Sequence, residues 1–131
     1  MAKTYYVYML HESPIERPYY CKVGFSHDPL RRLDQLQAGN PRALRCWEYM
    51  RRPTKPFGFR LPDKGHAVRF ERQIHDRLTG MGLRLRRDLN YETDDAPERE
   101  WFAELHPEKL YLLMLEMYAA YVKENAIDLS V

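Results

Sequence analysis

Three sets of residues in this sequence carry chemistry beyond packing. The first is Glu71. It lies within the helical stripe Ala67, Phe70, Ile74 and Leu78, inside the stripe and not opposite it. A carboxylate buried without a partner is costly, so Glu71 needs a base or a metal ion beside it. His75 follows one turn later on the same side. Two readings stay open for the pair. It is a weak metal-binding signal, or Glu71 bridges to an arginine such as Arg32 or Arg72 while His75 sits half exposed.

The second set is Lys22 among tyrosines. Tyr6 and Tyr8 on one expected strand face Tyr20 and Lys22 on the next. Tyrosines populate half-buried strands for packing reasons alone. On a covered sheet face the Lys22 ammonium is partly desolvated, which favours proton release; on an open face it is a solvated lysine. The third set is arginine-rich. Arg31, Arg32, Arg42, Arg45, Arg51, Arg52, Lys55, Arg60 and Lys64 are interleaved with Trp47, Tyr49, Phe57 and Phe59. Guanidinium forks bind phosphates, and aromatic rings stack on bases or sugars. Arg31, Arg42, Arg45, Arg51, Arg52, Lys55 and Arg60 are therefore candidate nucleic-acid contacts.

The elements that must position these residues follow from the pattern. Residues 4–10 alternate as a strand, with Tyr6, Tyr8 and Leu10 on one face and Tyr5, Val7 and Met9 on the other. His11 to Pro18 reads as a loop, and residues 19–25 as a second, antiparallel strand. Asp28-Pro29 starts a helix whose stripe is Leu30, Leu33 and Leu36, and which ends at Gly39. A third strand is expected over residues 43–50, then an exposed basic loop to Gly65. A second helix spans 66–79, and residues 80–97 read as irregular. A last helix runs from Pro107 to about Asn125, with a stripe of Leu110, Leu113, Met114, Met117, Tyr118 and Tyr121. Leu112, Leu115 and Ala119 extend its apolarity to a second side, which fits broad burial or a homodimer. The fold class is α/β of the α+β type: a small three-stranded antiparallel sheet flanked by helices, with an apolar C-terminal helix.

The chain has 131 residues, so one domain over residues 1–131 is expected, with a core large enough to fold without staples. Its net charge of +2 hides a strong asymmetry. Residues 31–87 hold fifteen bases against five acids, and residues 88–131 three bases against eleven acids. The middle is as basic as a nucleic-acid-binding module, and the acidic tail is expected to point away from DNA or to cover the cleft. No run of 18 apolar residues exists, so no membrane span is expected. MAKTYYVYML lacks the apolar core and cleavage site of a secretory signal. Cys21 and Cys46 have no CxxC spacing, which fits a reducing cytoplasm and argues against a disulfide framework.

The order YVYML, KVG, S-x-x-P-x-x-R, E-x-x-x-H and EWF resembles the GIY-YIG nuclease superfamily, in the phage and bacterial branch whose second motif reads K-[IV]-G. The resemblance covers about residues 4–102. Tyr6-Val7-Tyr8 stands where the family has Gly-Ile-Tyr, and Lys22-Val23-Gly24 where it has Tyr-Ile-Gly. Arg32 falls eight residues after Gly24, the family's spacing for its catalytic arginine. The resemblance implies hydrolysis of DNA phosphodiesters with one divalent ion, Mg²⁺ or Mn²⁺. It implies Tyr8 as general base or water-orienting group, Arg32 on the phosphate and Glu71 on the metal. Lys22 is a candidate to tune the Tyr8 proton. The family's first Gly is Tyr6 here, its second-motif Tyr is Lys22, and a His found in many members is Leu36, for which His75 or His27 is a spatial substitute. The expected activity is thus metal-dependent DNA cleavage, of branched or nicked DNA among other forms. The alternatives are a binding module of the same fold that grips nucleic acid or a protein partner without cleaving, and a Glu/His metal protein unrelated to nucleic acid.

Overall fold

The computed structural model describes residues 3–15, 17, 19–38, 43–46, 58–83, 101–103 and 105–129. The chain enters β1 (Tyr5–Ser13), whose alternating residues suit a strand covered on both faces. It returns in β2 (Tyr20–Ser26), antiparallel to β1, with Tyr8 opposite Gly24 and Leu10 opposite Lys22. β3 (Ala43–Cys46) and β4 (Phe59–Leu61) share the other edge of β1. β3 pairs with Leu10 to Ser13, and β4 with Tyr5 to Val7. β5 (Trp101–Ala103) pairs with Tyr20 to Lys22, so it covers only the first half of the β2 edge.

The sheet is an α+β arrangement, as the pattern of the sequence implied, but wider than three strands among the described residues. Two expectations change. His11 to Ser13 belong to β1 and not to a loop. Their polar composition is overridden by pairing with β3, which buries both His11 and Glu12. The His11 Nδ1–H donates to the Glu12 carbonyl at 3.1 Å. The segment read as a basic loop to Gly65 contains β4 and the start of a helix, because Phe59 and Leu61 bury against the core. The third strand is described only to Cys46; residues 47–50, and with them Trp47 and Tyr49, lie outside the described residues.

α1 (Pro29–Ala38) begins where Asp28 Oδ1 accepts from Arg31 N at 3.2 Å, the cap that the Asp-Pro pair predicts. α2 (Lys64–Gly80) is capped by Asp63, whose Oδ1 accepts from His66 N at 2.8 Å. Beyond it Gly82 adopts φ +79, a left-handed backbone that glycine tolerates best. α3 (Pro107–Glu124) starts with Pro107 at its first turn and His106 Nδ1 accepting from Glu108 N. No helix of the described residues is long and apolar enough to cross a membrane.

Strand alternation divides the core in two. Tyr8 and Leu10 face α1, packing with Leu36, Leu44 and Cys46. Val7, Met9, Cys21 and Val23 face α2 and α3, packing with Phe70, Ile74, Leu110 and Met114. All four stripe residues of α2, Ala67, Phe70, Ile74 and Leu78, are fully buried. Phe70 meets the rings of Phe59, Tyr118 and Tyr121 at 5.3–6.3 Å. Tyr121 Oη donates to His66 Nδ1 at 2.8 Å, and Tyr118 Oη to the Arg60 carbonyl at 2.7 Å, so α3 is bolted to α2 and β4. On α3, Leu110, Met114 and Tyr121 are buried, whereas Leu112 and Leu115 are exposed. The exposed Glu108, Glu116 and Glu124 of α3 lie on the opposite side of the sheet from α1 and its arginines, though the basic α2 shares the α3 face. Most of the remaining acidic residues, from 88 to 100, fall outside the described residues.

Phe70 joins β4, α2 and α3 through one ring. Phe70→Ala is expected to cost about 3–5 kcal/mol in urea unfolding with an unchanged m-value. A loss under about 1 kcal/mol would mean the three elements do not depend on it.

Candidate active site

The site is built at the row Tyr8–Gly24 of the β1–β2 pair. Directly opposed residues put their side chains on one face, so Tyr8 and Lys22 both point to the α1 side. A Cβ on Gly24 would stand 2.6 Å from Tyr8 Oη and 2.9 Å from its Cζ. The Tyr8 ring therefore lies across Gly24, in space that only glycine leaves open. This gives the glycine of the KVG motif a physical reason that the sequence could not show.

Above the ring stands α1. Arg32 donates a hydrogen bond to the Tyr8 oxygen. Tyr8 is 3% exposed, and burial pushes its phenol up to about 12. Arg32 opposes that rise through its charge and its hydrogen bond, and Glu71 adds to it. At neutral pH the phenol keeps its proton, so its oxygen accepts from Arg32 while its O–H remains a donor.

Glu71 comes from α2, on the other side of the sheet. Its side chain is 15% exposed. Burial raises its carboxyl to about 7; Lys22 first and Arg72 second hold it from rising further. Of the two ion-pair partners named as possible, Arg72 is felt at Glu71, but the strongest cationic influence is Lys22, which is fully buried. Among the described residues Glu71 Oε2 is buried without a hydrogen-bond partner. Its Oε1 lies 3.8 Å from His75 Nε2.

His75 is held for another task. Its Nε2–H donates to the Val23 carbonyl at 3.1 Å, and its ring stands edge-on to Phe102 at 5.1 Å. β5 pairs only with Tyr20 to Lys22, so this imidazole caps the next carbonyl along the β2 edge. Burial lowers its pKa, with Lys22 adding to the effect, so it is a neutral ring. Its hydrogen bond anchors α2 to β2 one turn after Glu71.

The structure thus brings together Tyr8, Lys22, Arg32, Glu71 and His75 from β1, β2, α1 and α2. Tyr8 and Lys22 are closed from solvent, so the cluster meets solvent at Arg32 and at the Glu71–His75 edge. Arg31 is exposed on α1. Arg45 is exposed on β3, with a guanidinium nitrogen donating to the Leu44 carbonyl at 3.0 Å. The Arg60 guanidinium donates to the Leu129 carbonyl, which ties it to the end of the chain. Arg42, Arg51, Arg52 and Lys55 lie outside the described residues. Among the described residues no group of three or more His, Cys, Asp or Glu side chains converges, so a metal here would rest on Glu71. A carboxylate with one buried, partnerless oxygen suits a hard divalent cation that keeps most of its waters. Sequence reasoning missed Gly24 as the seat of Tyr8, and it missed Ser26 and Gln35, which line a cavity of about 200 Å³ with Arg31 and Arg32.

Two outcomes follow from this geometry. Gly24→Ala is expected to displace the Tyr8 ring and cost about 1–3 kcal/mol, a cost relieved when Tyr8→Ala is added. Equal costs in both backgrounds would show that the ring does not lie on Gly24. The second concerns Glu71, whose carboxyl ionises near 4.5 when unfolded and near 7 when folded. Raising pH through that window favours the unfolded chain, and the penalty is complete above about pH 7, on the order of 3 kcal/mol. Metal-free Glu71→Gln is thus expected to be more stable than wild type at pH 8, with the gain shrinking toward pH 5. A gain independent of pH would refute the buried carboxyl.

No curated protein and no solved structure matches the chain. A model of the T5orf172 domain matches residues 5–117, which include every strand of the described residues, all five clustered side chains and most of α3. The chain belongs to the T5orf172 domain family.

Proposed function

We propose that this T5orf172-domain protein is a metal-dependent DNA endonuclease of the GIY-YIG kind, hydrolysing phosphodiester bonds at the Tyr8, Arg32 and Glu71 cluster. The observation that carries the reading is the Tyr8–Arg32 hydrogen bond with the partnerless Glu71 carboxylate oxygen beside it. A guanidinium, a phenol and a carboxylate in one place are what an in-line attack on phosphorus uses. Arg32 binds the phosphate and offsets charge developing on its oxygens. The Tyr8 hydroxyl, which keeps its proton at neutral pH, orients the attacking water by hydrogen bonding, and the proton that water loses goes to a phosphate oxygen or to solvent. Glu71 would hold Mg²⁺ or Mn²⁺, and such an ion supplies positive charge to the phosphate and to the leaving oxygen. Lys22 keeps positive charge beside Glu71, and His75 holds the helix that presents it. Arg31 and Arg45 on the exposed surface, and Arg42, Arg51, Arg52, Lys55 and Arg60, supply the wider contact to DNA, branched or nicked forms included.

A second reading has its own support. Tyr8 is buried and its phenol sits far above neutral pH, which favours a nucleic-acid-binding module that cuts weakly or not at all.

Plasmid and branched DNA are incubated with Mg²⁺ or Mn²⁺ and wild type, Glu71→Ala, Tyr8→Phe or Arg32→Ala. Each substitution is expected to lower cleavage at least about a hundredfold. Wild-type cleavage is expected to rise through Glu71's pKa of about 7, and to begin at lower pH when more metal is added, because proton and metal compete for one carboxylate. Nicking that survives both Glu71→Ala and Tyr8→Phe would place the chemistry elsewhere. Salt-sensitive binding without cutting by wild type would establish the module.

A further inference from the structure

The cavity beside α1 has only Arg32 in common with the cluster at Tyr8. Its volume is about 200 Å³, and Ser26, His27, Asp28, Arg31, Arg32 and Gln35 line it. Arg32 is the shared residue: it hydrogen-bonds the Tyr8 oxygen and also lines the cavity. Whatever Arg32 holds at Tyr8 therefore has its neighbour in the cavity.

The lining selects for an anion. Among the described residues no carboxylate forms an ion pair with Arg31 or Arg32. The single carboxylate present, Asp28, already accepts from Arg31 N, so it serves as the helix cap. That bond also occupies the helix amide, and the pull on an anion comes from side chains. Ser26 Oγ accepts from Asp28 N at 2.9 Å, which leaves its O–H to donate elsewhere. Lys3 Nζ donates to His27 Nε2 at 3.5 Å, which puts the imidazole hydrogen on Nδ1 and an ammonium charge beside His27. The Gln35 amide adds another donor. Two guanidiniums, a hydroxyl, an imidazole N–H and an amide match the oxygens of a phosphate diester.

We infer that this cavity holds the phosphate that flanks the one under attack on the same strand, so that the enzyme acts inside a polynucleotide strand and requires a charged neighbour there. The inference rests on the nuclease reading. It assigns Arg31, Ser26, His27 and Gln35 to the flanking phosphate and leaves the scissile one to Arg32.

The test uses a DNA duplex in which the wild-type cut has been mapped. A methylphosphonate, which removes one phosphate charge, is placed one nucleotide to either side of that cut. Wild type, Arg31→Gln and Gln35→Ala are compared by kcat/KM, with thermal unfolding confirming that these exposed substitutions leave the fold intact. Arg31→Gln is expected to lose about tenfold on all-phosphate DNA, the scale of one lost charged contact. The methylphosphonate on one flank is expected to cost wild type about the same and to cost Arg31→Gln nothing more. Equal further losses in wild type and Arg31→Gln at both flanks would overturn the inference. So would cutting that needs Tyr8 and Glu71 yet ignores Arg31→Gln and both methylphosphonates, with the nuclease reading left standing. DNA that wild type neither binds nor cuts would remove that reading, and the inference with it.

Discussion

The placement of Tyr8 against Gly24 sets the geometry on which the rest of the site depends. Strand pairing has a period of two, so a slip of one residue between β1 and β2 would carry every side chain of the slipped strand to the other face. Tyr8 would then point into the cluster of Val7, Met9 and Phe70, and its oxygen would lose Arg32. The register is fixed from both sides. Val7, Met9, Cys21 and Val23 must bury against α2 and α3, while Leu10 must bury against Leu36 and Leu44. The ring of Tyr8 then has one seat, and any side chain at position 24 would fill it. A hydrophobic core on both faces thus acts as the device that holds a phenol oxygen in position.

α2 carries two demands that conflict. Its stripe of Ala67, Phe70, Ile74 and Leu78 must lie flat on the sheet. The same turns must also present Glu71 and His75 at the border of that stripe, where a carboxylate is largely desolvated. The His75 bond to the Val23 carbonyl resolves part of the conflict, because it satisfies a strand-edge acceptor with a neutral donor and fixes the helix at that point. The remainder is left in place as a raised carboxyl pKa. A buried carboxyl that ionises with no partner on one oxygen is destabilising, and stability lost at such a position is a common mark of a functional site.

Much of this is legible in the sequence alone. Periodicity located α2 and α3, the Asp-Pro pair located the start of α1, and alternation put Tyr8 and Val7 on opposite faces. Glu71 announced itself because a carboxylate inside an apolar stripe breaks the local rule. The missed elements are the ones whose cause is remote in sequence. β4 and β5 have three residues each, too few for a periodic signal, and they exist because β1 and β2 offer open edges. His11 and Glu12 look like loop residues, and only pairing with β3 makes them strand. The depth of Lys22 was beyond reach for the same reason: whether a sheet face is covered depends on the helix laid over it.

The position of Lys22 also bears on how this family member differs from the resemblance it carries. Where the motif has a tyrosine, this chain places a fully buried lysine whose charge acts on Glu71. A buried ammonium and a buried carboxyl offset each other's desolvation, which neither tyrosine nor a neutral side chain would do. The lysine thereby permits Glu71 to sit deeper than an isolated carboxylate tolerates. Charge balance in this site is therefore distributed over three elements: Lys22 on β2, Arg32 on α1 and Glu71 on α2. Arg32 is the member of that set that also faces the cavity beside α1, and it is through this residue that the closed cluster around Tyr8 communicates with the surface.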